Sequence, residues 1–258
     1  MGEQIYKPLI EEMTWSYSRV KLFEQCPYAW FMRYLHGYEE RPMFYSSYGR
    51  FVHELIERYY LGQVSKNNLA VEYIKGFFEK TSHSGADDSV IEKYLMQGYE
   101  YFKHFEAFSC EKVAVEKQIN FEIGGYPFTS VVDFVGRDSD GLCIIDHKSR
   151  DVKPRGKRKK PLATDKTLDS MLEQLYVYSS AVKAEYGEYP KKLCFNCYRT
   201  GIFIEEPFVE ETHDRVIDGL IKTIKTIEDE DEWFPSIDWF ACKSICGLNH
   251  ECEYYRRD

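Results

Sequence analysis

Two short stretches hold the residues best suited to chemistry. Ser130-Val131-Val132-Asp133-Phe134-Val135 and Ile144-Ile145-Asp146-His147-Lys148-Ser149 are apolar runs interrupted by charge. A charge among apolar neighbours is costly unless it is paired or binds a metal. Side chains alternate along a strand, so Asp146 and Lys148 share one face and His147 points to the other. A turn centred between Ser139 and Asp140 sets Asp133 directly across from Asp146, with the two residues about 5 Å apart. Carboxylates in that position repel, and a shared proton or a bound cation relieves them. The simplest reading is a Mg²⁺ or Mn²⁺ site at which Lys148 orients or deprotonates a water. D-x-K is short, and Asp146 with Lys148 on a half-exposed sheet reads equally well as a surface ion pair. The opposed Asp133 weighs against that alternative.

The elements that must position these groups follow from periodicity. From Ser16 to about Lys112 the pattern is helical: Ser18 is placed to cap a short helix and Pro27 to open another. Val52, Leu55, Ile56 and Tyr59 recur at helical spacing, and further helices are expected near Ala70–Lys80 and Ser89–Phe108. The period then changes to two. Strands are expected near Val113–Ile123, Pro127–Arg137 and Leu142–Lys148, separated by Gly124-Gly125 and Asp138-Ser139-Asp140-Gly141. A helix near Leu168–Glu185, strands near Lys191–Arg199 and Ile202–Glu206, and a helix near Asp214–Glu228 complete the order. Glu116 is a further acidic group in the first strand, in a segment whose register the pattern does not fix. The run Glu228 to Glu232 reads as a solvated helix end.

Asp133 in V-V-D-F-V and Asp146-x-Lys148 in I-I-D-H-K-S resemble the motifs of PD-(D/E)XK nucleases of the RecB and AddB kind. Upstream, Gly49-Arg50-Phe51-Val52-His53 resembles the family's G-x-x-x-H segment, which implies His53 as a third metal ligand beside Asp133 and Asp146. An imidazole ligand tilts such a site toward Mn²⁺. Without the resemblance, a helical histidine beside an apolar stripe is a structural residue. Downstream, Gln174-Leu175-Tyr176-Val177-Tyr178 resembles the Q-L-x-x-Y motif, which implies that Gln174 and Tyr178 face the site from one side of a helix. An ordinary amphipathic helix with Leu175, Val177 and Val182 in the core is the plain alternative.

The chain has eight cysteines in 258 residues, too sparse for a secreted disulfide scaffold. Cys242, Cys246 and Cys252 supply three soft ligands at a spacing that wraps a metal or a cluster. Cys26, in Gln25-Cys26-Pro27-Tyr28, resembles the N-terminal cluster cysteine of the AddB and CRISPR-associated exonuclease branch, which implies a [4Fe-4S] cluster on Cys26, Cys242, Cys246 and Cys252. Three residues rather than two separate Cys242 from Cys246, and structural Zn²⁺ remains the alternative. Either group would clamp the N-terminal region against the tail. Cys194 and Cys197 form a C-x-x-C, but strand residues three apart face opposite sides, so these two, with Cys110 and Cys143, read as packed thiols.

Lys153, Arg155, Lys157, Arg158, Lys159 and Lys160 place six positive charges in eight residues, between the D-x-K strand and the Q-L-x-x-Y helix. Phosphate contact is their natural role, with a solvated charge run as the alternative. The net charge of -9 argues against binding nucleic acid over the whole surface, although a groove can confine the basic groups. No run approaches the roughly 18 apolar residues of a membrane span, and the start lacks the regions of a signal peptide, so a cytoplasmic location is expected.

The expected fold is α/β, a PD-(D/E)XK core with a mixed central sheet between helices and a helical N-terminal region. One domain is anticipated, with a helical part over 1–111, the nuclease core over 112–228 and a cysteine-bearing tail over 229–258. The resemblance implies a metal-dependent DNA exonuclease acting on single strands or duplex ends in recombination, repair, phage replication or CRISPR adaptation. No G-x-x-x-x-G-K-[ST] motif is present, so unwinding would need a partner helicase. The rivals are a non-catalytic DNA-binding subunit of a recombination complex and a sequence- or structure-specific endonuclease.

Overall fold

A computed structural model describes residues 5–156 and 162–255. Its centre is a five-stranded sheet in sequential order: β1 (Glu111–Ile123), β2 (Tyr126–Asp138), β3 (Gly141–His147), β4 (Lys192–Cys197) and β5 (Ile202–Pro207). Tight turns set the antiparallel registers. Gly124 and Gly125, at φ 58° and 86°, close the β1–β2 hairpin with Ile123 opposite Tyr126, the double left-handed conformation that a two-residue hairpin requires. At the next turn Asp138 pairs with Gly141, and the register runs to Phe134 opposite Ile145. β3 and β4 are parallel, so the chain must cross over between them. It does so through α7 (Ala163–Tyr186), and the mixed sheet expected from the sequence results.

The alternation of side chains splits the sheet into two faces. Ile144, Leu193 and Phe195 join Leu168, Leu172 and Leu175 of α7 in one apolar core, while Phe134, Cys143, Ile145 and Cys194 form a second on the reverse. Cys194 and Cys197 fall on opposite faces as their spacing requires. Gly136 sits between Cys110 and Cys143, whose sulfurs lie 3.8 Å apart; a Cβ there would meet them at 2.4 and 2.9 Å.

Helices cover the flanks. α4 (Phe44–Tyr60), α5 (Leu69–Lys80) and α6 (Asp88–Lys103) share an aromatic core of Tyr48, Phe51, Tyr73 and Phe102. Helices α1 (Lys7–Glu11), α2 (Tyr17–Gln25) and α3 (Pro27–Tyr34) pack with α8 (Glu210–Asp229) around Trp15, Trp30 and Trp233. Trp30 and Trp233 stack at 5.1 Å, joining the N-terminal region to the tail. Pro27 opens α3 as anticipated, but α2 is capped by Ser16 rather than Ser18: Ser16 is extended and its hydroxyl accepts from the Arg19 N–H, whereas Ser18 lies inside the first turn. α6 ends at Lys103, and residues 104–110 run as a loop to β1. Among the described residues no helix is long and apolar enough to cross a membrane.

Gly136 gives a direct test of the packing. Gly136→Ala is expected to cost about 1–3 kcal/mol through overpacking, measured by urea unfolding, with part of the loss recovered in Gly136→Ala/Cys110→Ala. Equal stability of wild type and Gly136→Ala would show that the two thiols yield freely.

Candidate metal centre

The site forms where the strand ladders open. Val115 pairs with Phe134 and Lys117 with Val132, so Glu116 falls across from Asp133, yet those two residues do not pair. Glu116 adopts φ 46°, the one left-handed residue other than glycine among the described residues. Such a conformation costs about 1–2 kcal/mol for an L-residue and persists where its surroundings over-determine it. On the other side of β2 the ladder to β3 ends at Phe134 and Ile145. Beyond it the Asp133 carboxylate, rather than a backbone carbonyl, takes the N–H of His147 at 2.8 Å.

His53 reaches this point from α4. Its Nε2 lies 3.0 Å from the carbonyl oxygen of His147. A carbonyl only accepts, so Nε2 carries the proton and Nδ1 faces inward. Nδ1 is 3.5 Å from Asp133 Oδ2 and 3.6 Å from Glu116 Oε1. The ligand atoms of His53, Glu116 and Asp133 all lie within 4.8 Å of one another, the one such trio among the described residues. Nitrogen and carboxylate oxygens are a donor set for Mg²⁺ or Mn²⁺.

Asp146 stands beside the trio and is 2% exposed. Its Oδ2 lies 2.6 Å from Lys148 Nζ, yet the approach lacks hydrogen-bond geometry and the oxygen has no hydrogen-bond partner. It is an ion pair with coordinating capacity left over. Lys148 Nζ is also held 2.7 Å from Gln174 Oε1, and Gln174 Nε2 donates to the Tyr178 hydroxyl at 2.7 Å. Gln174 and Tyr178, four apart on α7, therefore do face the site, and Lys148 connects them to Asp146. The neighbouring Glu173 accepts from Lys21 of α2 at 3.1 Å, which docks α2 against α7 next to Gln174.

The crowding shifts the protonation equilibria of the site. Burial and then the Asp146 charge push the Asp133 carboxyl up. Burial alone would push the His53 imidazole down, but Asp133, Glu116 and Asp146 overcome it and raise it to about 9. Burial and then the nearby Asp146 and Asp133 charges drive the Tyr178 hydroxyl well up, so it stays neutral. Without a cation the site therefore holds protons that a cation displaces.

His147 fixes the backbone from the reverse face. Its Nδ1 lies 3.2 Å from Asn196 Nδ2, which also donates to the Tyr101 hydroxyl at 2.8 Å, and its ring stacks on Phe108 at 5.8 Å. Burial, with His53 and Lys148 adding to it, holds this imidazole well below its usual range. The ring stays neutral and anchors a peptide segment whose N–H serves Asp133 and whose carbonyl serves His53.

The four cysteines from the two ends of the chain, Cys26, Cys242, Cys246 and Cys252, line one cavity of about 250 Å³. Cys26 caps α3, its sulfur accepting from the Ala29 N–H at 3.4 Å. In the basic segment Lys153 is exposed, while Arg155 is held by Asp169 at 2.7 Å and Glu206 at 3.0 Å. Lys157, Arg158, Lys159 and Lys160 lie outside the described residues. Asn196 is a site residue that the sequence did not point to, and Glu116, noted there as a further acidic group, had no assigned facing.

The family described as the PD-(D/E)XK nuclease superfamily matches residues 14–253. No curated protein matches the chain. Among solved structures, the chain is similar to a candidate exonuclease from Eubacterium rectale, with a TM-score of 0.52 and 13% identity over 100% of this chain and 95% of that one. Likeness at that identity is one of fold.

Strain and ligation at Glu116 can be separated. Glu116→Gly accepts the left-handed backbone and is expected to be about 1 kcal/mol more stable to urea than Glu116→Ala. Both should bind Mn²⁺ at least tenfold more weakly than wild type by titration with paramagnetic resonance detection. Unchanged Mn²⁺ affinity in both would remove Glu116 from the ligand set.

Proposed function

The chain belongs to the PD-(D/E)XK nuclease superfamily, and from that premise we propose that it is a divalent-metal-dependent DNA exonuclease of the RecB and AddB kind. The observation that carries this reading is Lys148 Nζ held between Asp146 and Gln174 beside the His53, Glu116 and Asp133 trio. A structural ion pair on a half-exposed sheet would not bury Asp146 to this depth or collect three further ligand atoms next to it.

His53 Nδ1, Asp133, Asp146 and Glu116 are the groups that would hold Mg²⁺ or Mn²⁺, and the imidazole favours Mn²⁺. A divalent cation there supplies Lewis acidity and lowers the pKa of the attacking water. Lys148 orients that water from Nζ and opposes the negative charge that develops on the phosphoryl oxygens. Gln174 holds the ammonium in place, and Tyr178 supports Gln174. His147 keeps the D-x-K backbone rigid from behind, so that Asp146 and Lys148 meet the substrate without rearranging. Lys153 and the basic residues 157–160 are placed in sequence between β3 and α7 to meet a nucleic-acid backbone.

We read the cavity lined by Cys26, Cys242, Cys246 and Cys252 as the seat of a [4Fe-4S] cluster, with structural Zn²⁺ as the alternative. Burial pushes the Cys242 and Cys246 thiols up, so binding there would release protons. The role would be structural.

The reaction is tested with end-labelled single- and double-stranded DNA and closed circular DNA, in Mn²⁺ or Mg²⁺. Stepwise shortening from ends is expected, at least a thousandfold slower in Lys148→Ala and Asp146→Ala, with circles untouched. Binding without cleavage under every metal would indicate a non-catalytic subunit, and cut circles an endonuclease. The cluster has a separate test: anaerobically purified protein should be brown and contain iron and sulfide, both lost in Cys246→Ala. Colourless protein with stoichiometric zinc would refute it.

A further inference from the structure

A cavity of about 780 Å³ lies against the reverse face of the sheet, on the side away from α7. Cys110, Cys143 and Cys194 line it, together with Phe108, Lys192 and Phe203. Phe203 is 47% exposed, so the cavity opens to solvent. The proposed nuclease chemistry uses none of these three thiols.

Cys110 and Cys143 come from segments on either side of β2. Cys143 lies opposite Gly136 in the β2–β3 ladder. Cys110 ends the loop that leads into β1, where Lys112 lies opposite Gly136 from the other side. Because Gly136 has no side chain, the two thiols meet over the middle strand, and the Cys143 S–H donates to Cys110 Sγ at 3.8 Å. Cys143 is buried, whereas Cys110 is only half-buried. A disulfide has an S–S length of about 2.05 Å, so the sulfurs need to close by about 1.8 Å. Cys110 is placed to supply that movement, because it sits in a bend outside the ladder.

From this geometry we propose that Cys110 and Cys143 form an oxidation site, a dithiol that a small-molecule disulfide converts to an intramolecular disulfide. Cys110, the more accessible of the two, attacks one sulfur of the small disulfide as its thiolate. The S–S bond breaks and one small thiolate leaves. The Cys143 thiolate then attacks Cys110 Sγ in the mixed disulfide and expels the second. The two protein thiols give up two electrons and two protons, and the two small thiols that form take them up. Burial pushes the Cys110 thiol up, with the Cys143 S–H opposing it, and burial pushes the Cys143 thiol up to about 12. Alkaline pH therefore favours the exchange.

The site is tested by incubating the full chain with oxidised glutathione at about pH 8.5, near the ordinary thiol pKa, blocking free thiols and mapping tryptic peptides without reduction. Cys110 and Cys143 fall in separate peptides, His104–Lys112 and Asp138–Lys148, each with one cysteine. These two are expected to be joined at least tenfold more often than either is joined to Leu193–Arg199, which carries Cys194 and Cys197. The linkage should vanish on dithiothreitol, and the tenfold preference should be lost in urea-unfolded protein. Cys143→Ser should trap glutathione on Cys110, and in Cys110→Ser glutathione on Cys143 should be at least tenfold scarcer. Absence of the joined pair, preferential linkage to Cys194, glutathione trapped chiefly on Cys143, or the same preference in unfolded protein would each overturn the inference.

Discussion

Three carboxylates, those of Glu116, Asp133 and Asp146, share one end of a sheet with one imidazole and one ammonium, and the local architecture answers their repulsion. Lys148 lies against Asp146, and His53 turns Nδ1 toward Asp133 and Glu116. The carbonyl of His147 fixes the tautomer that makes this possible. Without a cation, the rise of the His53 pKa to about 9 means that a proton occupies the centre at neutral pH. The same carboxylates that favour a proton on Nδ1 would favour a divalent cation in its place, so the strain at Glu116 and the crowding at Asp133 both fit the proposed cation seat.

Such a seat needs a backbone that does not yield, and the sheet provides one through an unusual use of His147. That residue shows the site only its peptide N–H and C=O, while its ring is clamped on the reverse face by Asn196 and Phe108. The Lys148 N–H continues the pairing by donating to the Asn196 carbonyl at 2.9 Å. Asn196 on the parallel neighbour therefore holds the D-x-K segment through both main chain and side chain. The parallel pair exists because α7 crosses from β3 to β4, and α7 delivers Gln174 and Tyr178 on the way. One topological feature thus positions the lysine and its partners together.

How much of this was legible in the sequence differs residue by residue. The turn at Ser139 and Asp140 fixed the β2–β3 register, and counting outward brought Asp133 level with Asp146 without further information. The same count from Gly124-Gly125 brings Glu116 level with Asp133. It succeeds because the register shift in β1 lies farther out, between Lys112 and Ala114, but a bulge leaves no mark in an alternating pattern, so the facing of Glu116 could not be fixed. Asn196 was invisible for another reason: its role depends on which strand lies beside β3, a long-range fact that strand periodicity does not carry. His53, Gln174 and Cys26 stood out only through the resemblance, since a helical histidine, a helical glutamine and a capping cysteine have ordinary structural roles. Ser16 and Ser18 are equally good caps by type, and the conformation of Ser16 decided between them.

The distribution of charge bears on how an acidic protein handles a polyanion. Residues 228–245 hold six acids and one lysine, a net of -5 out of the -9 of the whole chain. The remaining 240 residues carry only -4, and Glu116, Asp133 and Asp146 at the cation seat belong to that remainder. With a divalent cation bound there, the rest of the molecule is close to neutral and the basic run after β3 is not overwhelmed by a general negative field. The acidity is concentrated in the segment that runs from the end of α8 to residue 245. Segregation of this kind keeps most of the chain's net negative charge apart in sequence from the proposed cation seat and the basic run.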